Sequence, residues 1–210
     1  MITPRGDTGQ HAAGSHVGGI LLAAGASSRL GQPKQLLDFR GKPLVRHVAE
    51  QALASRLSHL LVVVGNEAAA VREALAGLEV QIVENPAYLQ GQSTSLRAGL
   101  LAFPRELSAA LVLLVDQPLV DAALLDHLIG LYEESRASIV APQFGGRRGN
   151  PVLFDRAIIP ELLTVVGDTG AREIISRHRD RLATLELPDD RAFLDVDTWD
   201  DYRQVTGSTS

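Results

Sequence analysis

From about residue 17 to about residue 202, short apolar runs alternate with longer stretches in which apolar residues return every three or four positions. The runs 17–23, 60–64, 80–83, 111–115 and 139–141 are mostly Val, Ile, Leu and Ala without polar alternation, the pattern of strands covered on both faces. Residues 44–56, 68–75, 93–103 and 122–135 carry the helical period. Strand–helix alternation of this kind predicts an α/β fold, a mostly parallel sheet with helices on both sides. Residues 144–154, FGGRRGNPVLF, break the rhythm with Gly-Gly and Gly-Asn-Pro between β-prone ends. They predict a turn and a small antiparallel excursion.

Composition narrows the class. A chain of 210 residues with 45% hydrophobic and 21% charged residues suits one compact domain and neither wholesale disorder nor a coiled coil. The domain is expected at 17–206, between flexible tails at 1–16 and 207–210. The first tail has no apolar run long enough for a signal-peptide core or a membrane span. With no cysteine, a disulfide scaffold, a thiolate zinc site and a cysteine nucleophile are excluded, and a reducing cytoplasm fits. The net charge of −5 argues against a sequence-independent nucleic-acid binder, so any phosphate site must be local.

The segment LLAAGASSRLGQPK follows the first strand, at the carboxyl edge where open α/β sheets bind ligands. The small residues Ala23, Ala24, Gly25 and Gly31 let backbone N–H groups approach an anion closely, and Leu22 stands with them as a nucleotide-binding candidate at the strand end. Ser27 and Ser28 can donate, and Arg29 and Lys34 supply the charge a polyphosphate needs. The loop is not a Walker A motif, because five residues rather than four separate Gly25 from Gly31 and Gln32 stands where the lysine belongs. It does not spell G-x-G-x-x-G either. A plain strand-to-helix turn would be equally rich in small residues, but two spaced cations favour an anion site.

Other candidates lie further along. Asp116 ends the apolar strand of LVLLVDQPL, where a carboxylate either holds Mg²⁺ together with substrate phosphates or merely starts a turn. Asp197, in LDVDTWDDY, reads as a second metal ligand, as the N-cap of the last helix, or as both. Gln92 and Ser93 open the helix after ENPAYLQGQSTSLR, where polar groups meet an anion or a base, or where Ser93 simply caps. The turn GDTGAR at 167–172 is open to an acceptor-site or a capping role. Six scattered histidines show no metal or triad spacing, and the adjacent Arg147 and Arg148 read as solvated or as an anion contact.

Taken in order, LAAGASSRLGQPKQLL, ENPAYLQGQSTSLRAGL, LLVDQPLV, GGRRGNPVLF, GDTGAREII and DVDTWDDY resemble the MobA-like nucleotidyltransferases, most closely the molybdenum cofactor cytidylyltransferases. The resemblance implies a Rossmann-like three-layer fold and joining of an NTP to a phosphorylated acceptor with loss of pyrophosphate. It also implies that residues 23–31 hold the triphosphate, that Arg29 and Lys34 neutralise it, and that Asp116 binds Mg²⁺ with Asp197. CTP rather than GTP is implied by Leu-Ala-Ala-Gly and Asp-Gln-Pro. Molybdopterin is the implied acceptor, with a molybdoenzyme as recipient of the product, although Asn150 stands where cytidylyltransferases of this group often have His. A sugar-phosphate or isoprenoid-precursor acceptor is the enzyme alternative, against which the Asp-Ala-Ala-Arg-Pro segment of the isoprenoid enzymes is absent. A non-catalytic cofactor-binding chaperone is the other alternative. Retention of Lys34, Arg29 and Asp116 together argues against it.

Overall fold

The computed structural model describes residues 16–27, 29–135, 137–167 and 171–207. Residues 1–15 and 208–210 of the two expected tails lie outside the described residues, as do Ser28 and 168–170 of the GDTGAR turn. His16 is tied in, because its carbonyl accepts the Ser108 N–H at 2.9 Å.

In chain order the elements are β1 (Val17–Ala23), the ribbon strands β2 (Asp38–Phe39) and β3 (Lys42–Pro43), α1 (Leu44–Leu53), β4 (His59–Val64), α2 (Ala68–Ala74), β5 (Gln81–Glu84), α3 (Gln92–Ala102) and β6 (Ala109–Leu114). There follow α4 (Ala122–Ser135), β7 (Ile139–Phe144), β8 (Arg147–Arg148), β9 (Val152–Asp155), α5 (Ile159–Leu162), α6 (Arg172–Arg177), β10 (Leu182–Glu186) and α7 (Trp199–Thr206). The main sheet runs β10-β7-β9-β6-β1-β4-β5, with β8 paired to β7. β9 is antiparallel to both neighbours and β8 to β7, while the remaining pairs are parallel. The mostly parallel sheet with a small antiparallel excursion is therefore the observed fold, and the excursion supplies a strand to the middle of the sheet.

Every residue of β1 is buried, as an unalternating apolar run requires when both faces are covered. Leu21, Val45, Val62, Leu111 and Leu125 pack on one face of the sheet with α1, α2 and α4. Ile20, Leu61, Leu96, Ile139 and Phe154 pack on the other with α3, α5 and α6. Gly99 lets α3 settle against β1, since a Cβ there would stand 2.6 Å from Ile20 Cγ2.

β10 and the β2–β3 ribbon are among the elements that go beyond the periodicity. In β10, at the sheet edge, exposed Thr184 and Glu186 interrupt half-buried apolar positions, so it forms no continuous apolar run. The β2–β3 ribbon shelters a third apolar cluster of Leu30, Leu37, Phe39, Leu44, Val196 and Val205. That cluster joins the segment after the β1 loop to the C-terminal segment, more than 150 positions away.

Candidate active site

β1 and β6 are parallel neighbours, so the loops leaving their carboxyl ends emerge side by side. The Val115 N–H bonds to the Leu22 carbonyl at 3.2 Å, which ties the Asp116 strand end to the start of the loop. From the C-terminal segment, the Val196 N–H donates to the Asp116 carbonyl at 2.8 Å. Three segments distant in sequence therefore converge on Lys34.

Lys34 opens the one-turn helix Lys34–Leu36. Its Nζ donates to Asp116 Oδ2 at 2.6 Å and to Asp197 Oδ1 at 2.8 Å. The Lys34 side chain is only 13% exposed, so this is a largely desolvated charge held between two carboxylates. Burial by itself would lower the Lys34 pKa, but the charges and hydrogen bonds of Asp116 and Asp197 outweigh it and hold the ammonium above its ordinary 10.5. Arg29 reaches Asp197 at 3.4 Å from a side chain that is 73% exposed, a weak solvated pair that leaves the guanidinium accessible to an anion.

Asp116 Oδ1 is buried and accepts no hydrogen bond among the described residues. An orphaned carboxylate oxygen beside a second carboxylate is what a hard divalent cation requires. The described residues hold no group of three or more His, Cys, Asp or Glu suited to a metal. Two carboxylates alone suit a cation such as Mg²⁺ or Mn²⁺, which takes one or two carboxylates and completes its shell with substrate oxygens and water. Asp116 and Asp197 are the residues that would hold it.

The capping alternative for Asp197 is corrected by the structure. Thr198 is the N-cap of α7, accepting the Asp201 N–H, and Asp201 closes a capping box with the Thr198 backbone. Asp197 is thereby left outside the helix with its carboxylate facing Lys34. Ser93 does not cap α3 either: the cap position is Gly91, at φ +109°.

A cavity of 590 Å³ opens beside Lys34 and Asp116. Leu22, Ala24, Gly25 and Gln92 line it from the sequence-derived set, with Tyr88 to Gly91 forming another wall. Ala23, Ser27, Gly31 and Ser93 do not line it. Ala23 is buried at the strand end, Ser27 Oγ accepts the Lys34 N–H at 3.0 Å, and Gly31 turns the loop at φ +70°. Ser93 is buried in the first turn of α3, its N–H bonded to the Gly167 carbonyl at 3.2 Å. Asn85 fastens the loop before α3, donating to Thr94 Oγ1 and Ser95 Oγ at 2.8 and 3.0 Å.

A second cavity of 200 Å³ shares Leu22, Gln92, Leu114 and Asp116 with the first. Leu96, Val112, Val152, Phe154 and Ile175 give it an apolar floor, and Asn150, Arg172 and Asp195 a polar rim. Its lining joins the antiparallel excursion to the GDTGAR turn through Asn150 and Arg172.

Sequence reasoning singled out neither Gln35 nor Asp195. Gln35 is fully buried, with its Nε2 on the Ala23 and Gly25 carbonyls. Its only sequence signal is a polar residue beside an apolar pair directly after the lysine. Asp195 accepts from Gln117 Nε2 at 2.8 Å. Burial, and then the charges of Asp116 and Asp197, raise its pKa above 3.8. Nothing in the acid-rich 195–201 run distinguishes it from its neighbours.

The fold is a doubly wound α/β sheet with a small-residue loop at the carboxyl end of β1 and two cavities that adjoin at Asp116, itself paired with Lys34. The chain belongs to the family of the MobA-like NTP transferase domain, whose model matches residues 19–182. It is 36% identical over 191 residues to nicotine blue oxidoreductase of Paenarthrobacter nicotinovorans, covering 87% of this chain and 92% of that protein. Purine catabolism protein PucB of Bacillus subtilis is 30% identical over 201 residues, covering 91% of this chain and 97% of that one. Rv0371c of Mycobacterium tuberculosis superposes with a TM-score of 0.81 at 31% identity, covering 93% of this chain and 100% of that one. Its manganese complex superposes at 0.75 with 30% identity, covering 92% and 100%. No helix among the described residues is long and apolar enough to cross a membrane.

Proposed function

We propose that the protein is a Mg²⁺-dependent cytidylyltransferase of the cytoplasm that joins CTP to the phosphate of molybdopterin and releases pyrophosphate. Its product would be handed to a molybdoenzyme. The observation that carries the reading is the meeting of two cavities at Asp116, which gives an NTP and an acceptor a common boundary beside Lys34. The apolar floor and Arg172 of the smaller cavity suit a flat heterocycle bearing an anionic group. The choice of CTP and of molybdopterin rests on the resemblance of the motifs.

An acceptor phosphate oxygen attacks the α-phosphorus of the nucleotide in line. The P–O bond to the β-phosphate breaks, and pyrophosphate carries away that electron pair. No covalent enzyme intermediate is required, so the protein contributes positioning and electrostatic stabilisation. Asp116 and Asp197 would hold a divalent cation, which when bound would help neutralise the phosphoryl oxygens. Lys34, desolvated beside the same carboxylates, holds a fixed positive charge at the cavity wall, and Arg29, exposed and paired with Asp197, adds a second one nearby.

The test is to incubate the protein with Mg²⁺ or Mn²⁺, each NTP in turn and molybdopterin, and to measure pyrophosphate and the dinucleotide product. Release with CTP and molybdopterin together, and little with either alone, is expected. A second reading draws on the 36% identical nicotine blue oxidoreductase, namely redox chemistry on a heteroaromatic compound in the smaller cavity. Oxidation of a nicotinamide cofactor in the presence of such a compound, with no pyrophosphate from any NTP, would favour it.

A further inference from the structure

Gln35 is 0% exposed, and both hydrogen bonds from its Nε2 go to a single loop: the carbonyl of Ala23 at 2.9 Å and that of Gly25 at 2.7 Å. The Ser27 hydroxyl donates towards Gln35 Oε1 at 3.5 Å and accepts the Lys34 N–H at 3.0 Å. A buried carboxamide spent in this way fixes backbone rather than filling space, because each bonded carbonyl would otherwise be left unpaired or turn to water.

The direction of that fixing matters. In a trans peptide the C=O and N–H point opposite ways. With the Gly25 carbonyl turned towards Gln35, the Ala26 N–H of the same peptide is turned away from it, on a loop whose Gly25 and Ala26 are exposed and line the larger cavity. Ser27 sits at φ +54°, a sparsely populated conformation for a residue with a side chain. Its hydroxyl contacts with Lys34 and Gln35, and the Leu30 N–H donated to its carbonyl at 3.1 Å, hold it there.

We infer that Gln35 is a positioning residue that presets the 23–27 loop and the start of the Lys34 turn for a polyphosphate. The inference rests on the nucleotidyl-transfer reading above. Gln35 touches no substrate. Its effect is on recognition of the triphosphate and on turnover, and not on the nucleoside part of the ligand.

Gln35→Met keeps length and removes both donors. Ser27→Ala removes the partly exposed end of the same network, where loss of the fold is not at issue. Affinities for CTP and CMP (GTP and GMP if wild type prefers them) are measured by calorimetry with Mg²⁺ for wild type, both variants and the double variant, together with kcat, KM and melting temperature. In Gln35→Met, CTP binding is expected to weaken by about tenfold to a hundredfold, the scale of a misplaced binding group. CMP binding should change several-fold less. Ser27→Ala should show the same selectivity at smaller size, and the double variant less than the product of the two losses. Equal losses for CTP and CMP, or undiminished CTP binding in folded Gln35→Met, overturn the inference. If Gln35→Met does not fold, a CTP-to-CMP loss ratio near one in Ser27→Ala overturns it. Wild-type protein that binds no nucleotide overturns the nucleotidyl-transfer reading, and this inference with it. Wild-type binding with unselective losses removes the role of Gln35 alone.

Discussion

Lys34 Nζ lies 2.6 Å from Asp116 Oδ2 although 82 positions separate the two residues, and the same ammonium reaches Asp197, 163 positions away. The contact is made at the junction of three segments that share no local sequence signal. It places one cation where both proposed metal ligands converge, so the three side chains should behave as a unit.

Lys34→Ala is expected to lower turnover by roughly two to three orders of magnitude, the usual scale for removing one transition-state electrostatic contact. Because the folded pKa of Lys34 is raised above 10.5, the stability its ion pairs add to the metal-free protein is fully present below that value. It is lost only as pH rises through the folded pKa. The difference in melting temperature between wild type and Lys34→Ala should therefore persist to pH 9. Pyrophosphate release close to wild type in the variant would place the reaction elsewhere.

Asp116→Asn and Asp197→Asn should each weaken metal-dependent turnover, and the double variant should lose far less than the product of the single losses, since both carboxylates act through one cation. With Thr198 holding the cap, Asp197→Asn should leave the start of α7 intact and cost only the stability that its ion pair with Lys34 contributes. Rates titrated with Mg²⁺ and Mn²⁺ in the three variants decide this. An unaltered metal dependence in Asp197→Asn removes that residue from the site, and in Asp116→Asn it overturns the assignment of the metal site.

Gly149→Ala tests how the C-terminal segment is held. A Cβ at Gly149 would stand 2.3 Å from the Phe193 ring, which is nearly buried two residues before Asp195. Displacing that ring should destabilise the fold by about 1–3 kcal/mol, the range for an overpacked contact. The metal concentration needed for half-maximal rate should rise as Asp197 shifts. Chemical denaturation and a metal titration on the same preparation report both effects.

Asp195→Asn should raise the melting temperature of the metal-free protein at pH 7. Its carboxyl pKa is raised in the fold, by burial and by the charge of Asp116, so the ionised form is disfavoured there. A group shifted in this direction stabilises fully below its unfolded pKa of 3.8 and loses that contribution as pH rises through the folded value. The advantage of the Asn variant should consequently shrink towards pH 3.8 and below. An equal or lower melting temperature at pH 7 would show that the Gln117 hydrogen bond offsets the burial penalty.

Much of the fold was legible because fully buried parallel strands must be continuously apolar. β1 falls where its run does, and α4 matches its periodic stretch end for end. β10 was not legible, because exposed Thr184 and Glu186 break its apolar positions into a run too short to stand out. Asn85 shows the same limit within the site: buried among Thr94 and Ser95, it reads in sequence as an ordinary turn residue before a proline.

By itself the sequence determined the alternation of elements, the small-residue loop after β1 and the chemical identities of Lys34, Arg29 and Asp116. The first two follow from local constraints, period and chain flexibility, and the last is read directly off the residue types. Only the tertiary structure decided that Asp197 faces Lys34 instead of capping α7, that Gln35 is spent on the loop backbone, and that two cavities adjoin at Asp116. The reason is that a carboxylate has the same local propensity in either role. Its role is fixed by packing of Leu30, Leu37 and Phe39 against Val196 and Val205, and such contacts between distant segments leave no periodic trace in the chain.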